Sequence, residues 1–470
     1  MASYKTPGVY IEEKNAFPNS VVAVETAVPA FIGYTEKAVK LGKTVFNKPI
    51  RVTSMVEFEQ FFGGPPTYQF EVVPSTDTDN TANPPVLGDK EFFSLTVGGK
   101  SVNHKVVWKT DSLYRLHNCV KHFYQNGGGN CWIVAVGKYL KDDGSPNPLD
   151  KDAMIKAVAA LADEPEPTMV LAPDALGLPP AGCYSVYQTI LKHCKDMMSR
   201  IGVLDVPGGD SEVAYDAREQ IEAFRTGVGT NNLDYGAAYF PWMETNVVSD
   251  REITFFNFDL AGLEPLLLTG NENIDAAIKR AMLTVKMPDD DTASPPEWKK
   301  GDYKITVSEN GADVEKYVKE AGLSTVDAGL RAMLPIYKDV IVKEAVKKVN
   351  LLPPASAMAG IYTAVDNTRG VWKAPANVSM NSVIAPSYNV NNDLNDELNM
   401  PLNGKAVNPI RAFPGQGSIV WGARTLDGNS QDWRYINVRR TMIFLEMSVK
   451  AAARAYVFEP NDANTWVLVS

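Results

Sequence analysis

Between residues 130 and 243, short apolar runs alternate with amphipathic segments. Residues 131–136, 168–172, 201–206 and 235–240 are apolar nearly throughout, the pattern of strands buried on both faces. Between them, residues 152–161 carry helical spacing. Residues 183–198 put Val186, Ile190, Leu191 and Cys194 on one helical face. Ser211 is suited to cap a further helix that runs to Phe224. Strands and helices in this alternation predict an α/β unit: a mainly parallel sheet covered on both faces, with right-handed crossovers.

The pattern differs outside this span. Residues 1–24 read as an arm. Pro7-Gly8 interrupts regular structure, and Val9, Tyr10 and Ile11 have strand propensity over too short a length to stand alone. Such a segment can complete its own domain or add to another chain's sheet. Two stretches read as insertions. One, about 64–112, begins rich in Pro, Thr and Asp and then alternates at 93–97 and 105–108, as a hairpin decoration would. The other, about 245–350, is charged and helical at 312–321 and 326–349, with a Pro- and Asp-rich linker at 289–296. Residues 388–399, rich in Asn and Asp, predict a loop and a short helix. Residues 441–456 predict a helix with Ile443, Phe444, Met447 and Ala451 on one stripe and the small Ser448 beside it. The expected units are therefore 1–24, 25–244, 245–350 and 351–470.

Bulk composition narrows the function. The chain has 470 residues, enough for two to four domains. No apolar run approaches the roughly 20 residues of a membrane span, and residues 1–5 lack signal-peptide character; synthesis and assembly in the cytoplasm are expected. Net charge is −10. From Gly360 onward ten Lys and Arg face nine Asp and Glu, so the acidic excess lies entirely upstream. That distribution argues against nucleic acid as the main partner. The cysteines Cys119, Cys131, Cys183 and Cys194 show no CxxC spacing and are expected to be buried, reduced thiols.

Candidate chemistry is sparse. The four histidines are His104, His117, His122 and His193. On a helix His117 and Cys119 point to different faces, and His193-Cys194 are adjacent, so neither cluster is a metal chelate. Asn126-Gly-Gly-Gly-Asn130 precedes a strand and lacks the Lys-Ser/Thr of a phosphate loop, so it reads as a tight turn. The stretch from Asp77 has Ala82 and Gly88 where a calcium loop needs Gly and Glu. No Gly-x-Ser-x-Gly elbow occurs. No catalytic, cofactor-binding or metal-ligating residue is assigned.

The last quarter is different. Pro353 and Pro354 open a segment containing Gly360, Tyr362, Asp366, Arg369, Gly370 and Trp372. Arg411, Pro414, Gly417, Trp421, Gly422 and Arg424 follow, then Trp433, Tyr435, Arg439 and Arg440, an apolar helix, and Val457-Phe-Glu-Pro-Asn-Asp462. Trp, Arg and Gly in such density suit close, bidentate protein contacts rather than catalysis. These segments resemble contractile tail sheath proteins, the sleeve of phage tails and of related injection particles. Upstream, Thr6-Pro-Gly-Val-Tyr-Ile-Glu-Glu13, Ala30-Phe-Ile-Gly33, Ile201-Gly-Val-Leu-Asp-Val-Pro207 and Ala237-Ala-Tyr-Phe-Pro-Trp242 extend the likeness over most of the chain outside the two insertions.

The resemblance implies a discontinuous sheath core domain, built from the N-terminal arm and the C-terminal region, with the α/β unit inserted. It implies a structural subunit, not an enzyme, that surrounds an inner tube with copies of itself and contracts to drive the tube through a target envelope. Implied partners are further copies, the inner tube protein, and baseplate and terminator or cap proteins. No cofactor, direct nucleic-acid contact or membrane insertion is implied. The particle would assemble in the bacterial cytoplasm and act as a phage tail or a released contractile particle. Val9, Tyr10, Ile11, Arg369, Trp372, Trp421, Arg424, Arg439 and Arg440 are the candidate subunit-interface residues. Lys450 and Arg454, on a locally basic helix, are the candidate tube-facing pair. In the family another helix, a small β subdomain and a C-terminal arm follow the Val457–Asp462 motif; they are expected to come from outside this sequence. Two other readings remain: a non-contractile baseplate or shell subunit with a sheath-like domain, and a Rossmann-like enzyme using residues 130–243.

Overall fold

The computed structural model describes residues 23–74, 93–97, 100–109, 113–209, 217–282, 285–286, 303–309, 312–318, 320–463 and 466. An eight-stranded sheet organises it. Its members are β1 (Pro29–Thr35), β2 (Pro49–Val52), β3 (Cys131–Lys138), β4 (Met169–Leu171), β5 (Ile201–Asp205), β6 (Gly236–Phe240), β7 (Asn408–Phe413) and β8 (Gly417–Val420). The spatial order is β8-β7-β6-β5-β4-β1-β3-β2. Every pairing from β3 across to β7 is parallel; the two edge strands, β2 and β8, are antiparallel. All residues of β1, β4, β5 and β6 are buried, as strands covered on both faces require. The helices Lys151–Ala160 and Pro180–Met197 lie where the apolar spacing predicts them. Ser211 lies outside the described residues, and the helix after it is described from Ala217 to Gly227.

The sheet does not stop at residue 244. β7 pairs with β6 through Tyr239 and Asn408, and one continuous core draws on both 30–243 and 355–443. Three helices pack around this C-terminal part: α1 (Leu116–Gln125), α2 (Ala355–Arg369) and α3 (Ile436–Ala453). α2 is almost wholly buried from Ala355 to Thr363. It crosses α1 at Gly360, where a Cβ would lie 2.5 Å from the Phe123 carbonyl oxygen; only glycine permits so close an approach. The Asn126–Asn130 turn is as expected, with Gly127 at φ +91°.

The two stretches read as insertions share a second core. Tyr68, Phe70 and Val106 from the first pack with Phe255, Phe258, Leu263, Leu330, Tyr337 and Ile341 from the second. The strand Phe70–Pro74 extends the hairpin formed by Phe93–Val97 and Lys100–Trp108, so this segment is a wall of that core rather than a decoration. A short antiparallel sheet of Met243–Thr245, Leu351–Leu352 and Val383–Pro386 joins the two cores.

The expected helix at 312–321 is a strand instead. Ala312–Val318 pairs along its length with Tyr303–Glu309. The register sets Glu309 opposite Ala312, leaving Asn310-Gly311 as the connection, a dipeptide strongly favoured in two-residue hairpins. The helix expected at 326–349 is two pieces, Glu320–Met333 and Lys343–Asn350, separated by Pro335 and a π-helical turn at Tyr337–Val342. The turn places Tyr337, whose hydroxyl donates to buried Asp327 at 2.7 Å. Asp327 also pairs with Arg331 at 2.5 Å.

Candidate assembly surface

The C-terminal motifs converge around α3, and the fold itself consumes some of their side chains. Arg440 is consumed. Its guanidinium donates to both carboxylate oxygens of Asp366, at 3.0 and 2.5 Å, and to the Thr26 carbonyl at 3.0 Å. The side chains of Arg440 and Asp366 are 4% and 2% exposed. The guanidinium also sits 4.6 Å from the Tyr362 ring centroid, and the Tyr362 hydroxyl is 2.6 Å from that of Tyr239. One bidentate pair thus fastens α3 to α2 and to the chain entering β1.

Arg439 is consumed as well. Its guanidinium lies 3.8 Å from the Tyr235 ring and 4.5 Å from the Trp433 ring, a cation–π sandwich. Burial lowers its pKa from the usual arginine value. Both arginines were expected at a subunit interface. Within the isolated chain they hold the fold together and have no free face to offer.

Other candidates do reach the surface. Arg369 is exposed at the end of α2. Gly370 follows at φ +86°, with the Trp372 ring folded over it. Trp372 is 64% exposed, and its carbonyl accepts from Asn437 Nδ2 at 3.0 Å, next to the start of α3. Trp421 is exposed and packs against Phe413 at 4.7 Å. Arg424 is half-buried over Tyr435 at 5.6 Å. Its amide donates to Asn408 Oδ1 at 2.6 Å, which locks that loop onto β7. Lys450 and Arg454 are exposed near the end of α3, and neither forms an ion pair among the described residues. Val9, Tyr10 and Ile11 lie outside the described residues.

A feature the sequence reading missed completes the surface. Val438, Met442, Leu445 and Val449 form a second apolar row on α3, and all four are exposed. Their 4-3-4 spacing is that of a helix-packing seam and is present in the sequence alongside the stripe through Ile443 and Met447. α3 is thus apolar on two faces. One face is turned toward the body, where Ile443 is buried, and the other is turned to solvent.

The titratable groups inside the fold behave as structural parts. Asp174, at the end of β4, accepts from the amides of Tyr34, Arg115 and Leu116 at 2.7, 2.6 and 3.0 Å; burial nevertheless raises its pKa to about 6. Asp205, at the end of β5, caps α2 by accepting from the Ala355 amide at 2.7 Å, and burial raises its pKa to about 7. These are the strand ends where a Rossmann-like enzyme would hold a ligand, and both carboxylates are occupied with backbone. Burial lowers His122 and His193 to about 4. All four cysteines are buried, and burial pushes Cys131, Cys183 and Cys194 up to about 12, which keeps them as thiols. Among the described residues no cluster of His, Cys, Asp or Glu is arranged to hold a metal, and no helix is long and apolar enough to cross a membrane.

Residues 271–426 match the family model of the phage tail sheath protein central domain. Over this span, about a third of its length, the chain is similar to the phage tail sheath family. The match includes Arg369, Trp372, Trp421 and Arg424 and stops before α3. The tail sheath protein of Vibrio phage KVP40 is 23% identical over 270 residues, covering 52% of this chain and 38% of that protein. The tail sheath protein of Enterobacteria phage T4 is 26% identical over 117 residues, covering 24% and 17%. The chain thus spans well under half the length of these phage relatives. Among solved structures, the anti-feeding prophage baseplate in its contracted state overlays with a TM-score of 0.51 at 20% identity, over 99% of this chain and 81% of that one. The sheath complex of an extracellular contractile injection system, PVC, gives 0.49 at 22%, over 100% and 80%.

Proposed function

We propose that this chain is the subunit of a contractile sheath, which polymerises around an inner tube and shortens to drive that tube through a target envelope. The family match over residues 271–426 carries this reading. The exposed apolar surface around α3, from Trp372 and Trp421 to the row Val438–Val449, supports it, since contiguous exposed apolar area marks protein contacts. Head-to-tail contacts between copies generate rings and helices rather than closed dimers. The work comes from repacking: a metastable extended sleeve relaxes to a contracted one of lower free energy. The partners are further copies, the tube, the baseplate and a cap, and the setting is a phage tail or an extracellular contractile injection system. Residues 245–350, packed with 64–112 as the second core, form the outer part of the sleeve. Lys450 and Arg454 face the tube.

Negative-stain microscopy of the purified chain tests this reading. Long tubes with cogwheel cross-sections are expected. Single closed rings would instead support a baseplate part, the reading favoured by the source of the overlay above 0.5. Persistent monomers that turn over a small molecule would overturn both.

A further inference from the structure

Two surface patches of opposite charge stand at opposite sides of the eight-stranded sheet. The first is a hairpin of Val39–Lys40 and Lys43–Thr44, made between β1 and the edge strand β2. Residues 37–48 hold four lysines and no acid. Lys37, Lys43 and Lys48 are exposed and form no ion pair among the described residues, and Lys40 lies over the Phe61 ring at 4.9 Å. The acids nearest in sequence are engaged. Glu36 accepts from the Gly64 amide at 2.7 Å, Glu57 accepts from the Thr53 amide at 2.8 Å, and Glu59 lies 3.5 Å from His117 Nε2. The turn itself, Leu41-Gly42, has φ +50° and +73°. Two-residue turns with both φ values positive favour Asn-Gly or Asp-Gly, and a bulky residue there is strained. Leu41 is 92% exposed, so no burial within the chain offsets that strain.

The second patch lies beside β7, on the helix Asn392–Asn399 and the turn after it. Leu394 and Leu398 are buried on its inner face, and Arg411 of β7 donates to Asn392 Oδ1 at 2.9 Å. Between Lys373 and Lys405 the chain has three acids and no Lys or Arg. Asp393, Asp396 and Met400, three and four residues apart, share the outer face; all are exposed, and Leu402 follows, fully exposed. The neighbouring cations are engaged: Arg218 with Glu397 at 3.1 Å, Arg225 with Glu222 at 2.5 Å, and Lys405 with the Arg225 carbonyl. Asp393 and Asp396 form no ion pair among the described residues. Buried Arg225 also donates to the carbonyls of Glu397 and Lys405, at 2.9 and 3.0 Å, which fixes the turn that displays Met400 and Leu402. From β7 to β2 is six strand spacings, about 29 Å at roughly 4.8 Å each, too far for the patches to meet within one chain. We propose that the hairpin of one copy seats on the outer face of helix Asn392–Asn399 of the next, its lysines facing Asp393 and Asp396 and its Leu41 lying against Met400 and Leu402. Like patches repel and unlike patches attract, so the contact is head-to-tail, the kind that repeats around a ring or helix. That the partner is a second copy rests on the sheath reading; the charge and exposure of the two patches do not.

The test mixes two full chains, one carrying Thr44→Cys and the other Asn399→Cys. The four native thiols are buried. A short bis-maleimide is expected to join positions 44 and 399 in the mixture, giving a linked peptide identifiable by mass spectrometry, and to join neither chain to its own kind. Lys37→Glu with Lys43→Glu in the first chain should lower the yield several-fold, and Asp393→Lys with Asp396→Lys in the second should restore it. Leu41→Asn separates a contact residue from a mere turn residue. Asparagine adopts the left-handed position more readily, so the thermal midpoint of the chain should rise while the yield falls several-fold. Absence of the 44–399 link, links of 44 to 44 or 399 to 399 in its place, or a yield indifferent to these substitutions would each overturn the proposal. Microscopy of the same mixture keeps the two readings apart. Tubes without the link defeat this contact and leave the sheath reading standing. The link in closed rings or short stacks, without tubes, upholds the contact and defeats the sheath reading.

Discussion

At the residue scale, Arg440 and Asp366 are the most consequential pair, because neither can be removed without stranding the other. Arg440→Ala would leave Asp366 buried and uncompensated, together with the Thr26 carbonyl. A loss of about 3–5 kcal/mol is expected, read as a lower urea midpoint. A loss below about 1 kcal/mol would mean the pair is not closed in solution. Asp205 gives a pH prediction. Its folded pKa of about 7 lies above the ordinary carboxylate value, so between about pH 4 and 7 the folded chain holds a proton that the unfolded chain has released. Stability from this group therefore falls as pH rises through that window. Asp205→Asn keeps an oxygen for the Ala355 amide but cannot ionise, so the variant should gain stability relative to the parent between pH 5 and 8. His122 and His193, depressed to about 4, act in the opposite sense, losing stability as pH falls below about 6.5. They are common to both proteins and cancel in the difference. A difference in midpoint that stays constant across the series would refute the assignment.

At the element scale, the crossing of α1 and α2 depends on an absent side chain. Gly→Ala inside an exposed helix ordinarily stabilises by about 1 kcal/mol. At Gly360 the added methyl would meet the Phe123 carbonyl oxygen and Asn126, and backbone cannot swing aside as a flexible side chain does. Gly360→Ala should therefore destabilise by about 1–3 kcal/mol, with a lower thermal midpoint; a stabilised variant would show that the helices cross farther apart. α3 carries the other element-scale prediction. If the chain is a sheath subunit as proposed, Lys450→Glu with Arg454→Glu should reduce tube loading into assembled sheaths while leaving the subunit's melting unchanged, since both side chains are solvent-exposed. Unchanged loading would remove these residues from the tube interface.

At the scale of the whole molecule, the short sheet of Met243–Thr245, Leu351–Leu352 and Val383–Pro386 joins the two cores. Asn350 fastens the second core's edge of that junction: its Nδ2 donates to the Val248 carbonyl and its Oδ1 accepts from the Val248 amide, both at 2.8 Å, while its own carbonyl accepts from Thr245 Oγ1. Asn350→Ala would strand both Val248 groups at a cost of about 2–4 kcal/mol. Hydrogen exchange should quicken across residues 247–349 while β1, β4 and β5 keep their protection. Uniform loosening of both cores would mean that they unfold as one unit.

Much of this architecture could be read directly from the sequence. The apolar runs at β3 to β6 and the helices between them follow from local patterning, because a strand buried on both faces has no polar position to hide. The tight Asn126–Asn130 turn and the buried thiols follow from composition in the same way. The hairpin at 303–318 was also legible, through Asn310-Gly311, but a charged, alternating strand resembles a surface helix when its partner is not yet in view. Only the tertiary structure decided the rest. That β7 joins β6 although residues 241–407 separate them in the chain, that the two apparent insertions share one core, and that Arg439 and Arg440 face inward while Trp372 faces outward all depend on contacts between distant segments. An arginine beside an aromatic reads the same in sequence whether it closes its own fold or waits for a neighbour. What separates the two cases is whether folding brings an acid such as Asp366 to meet it.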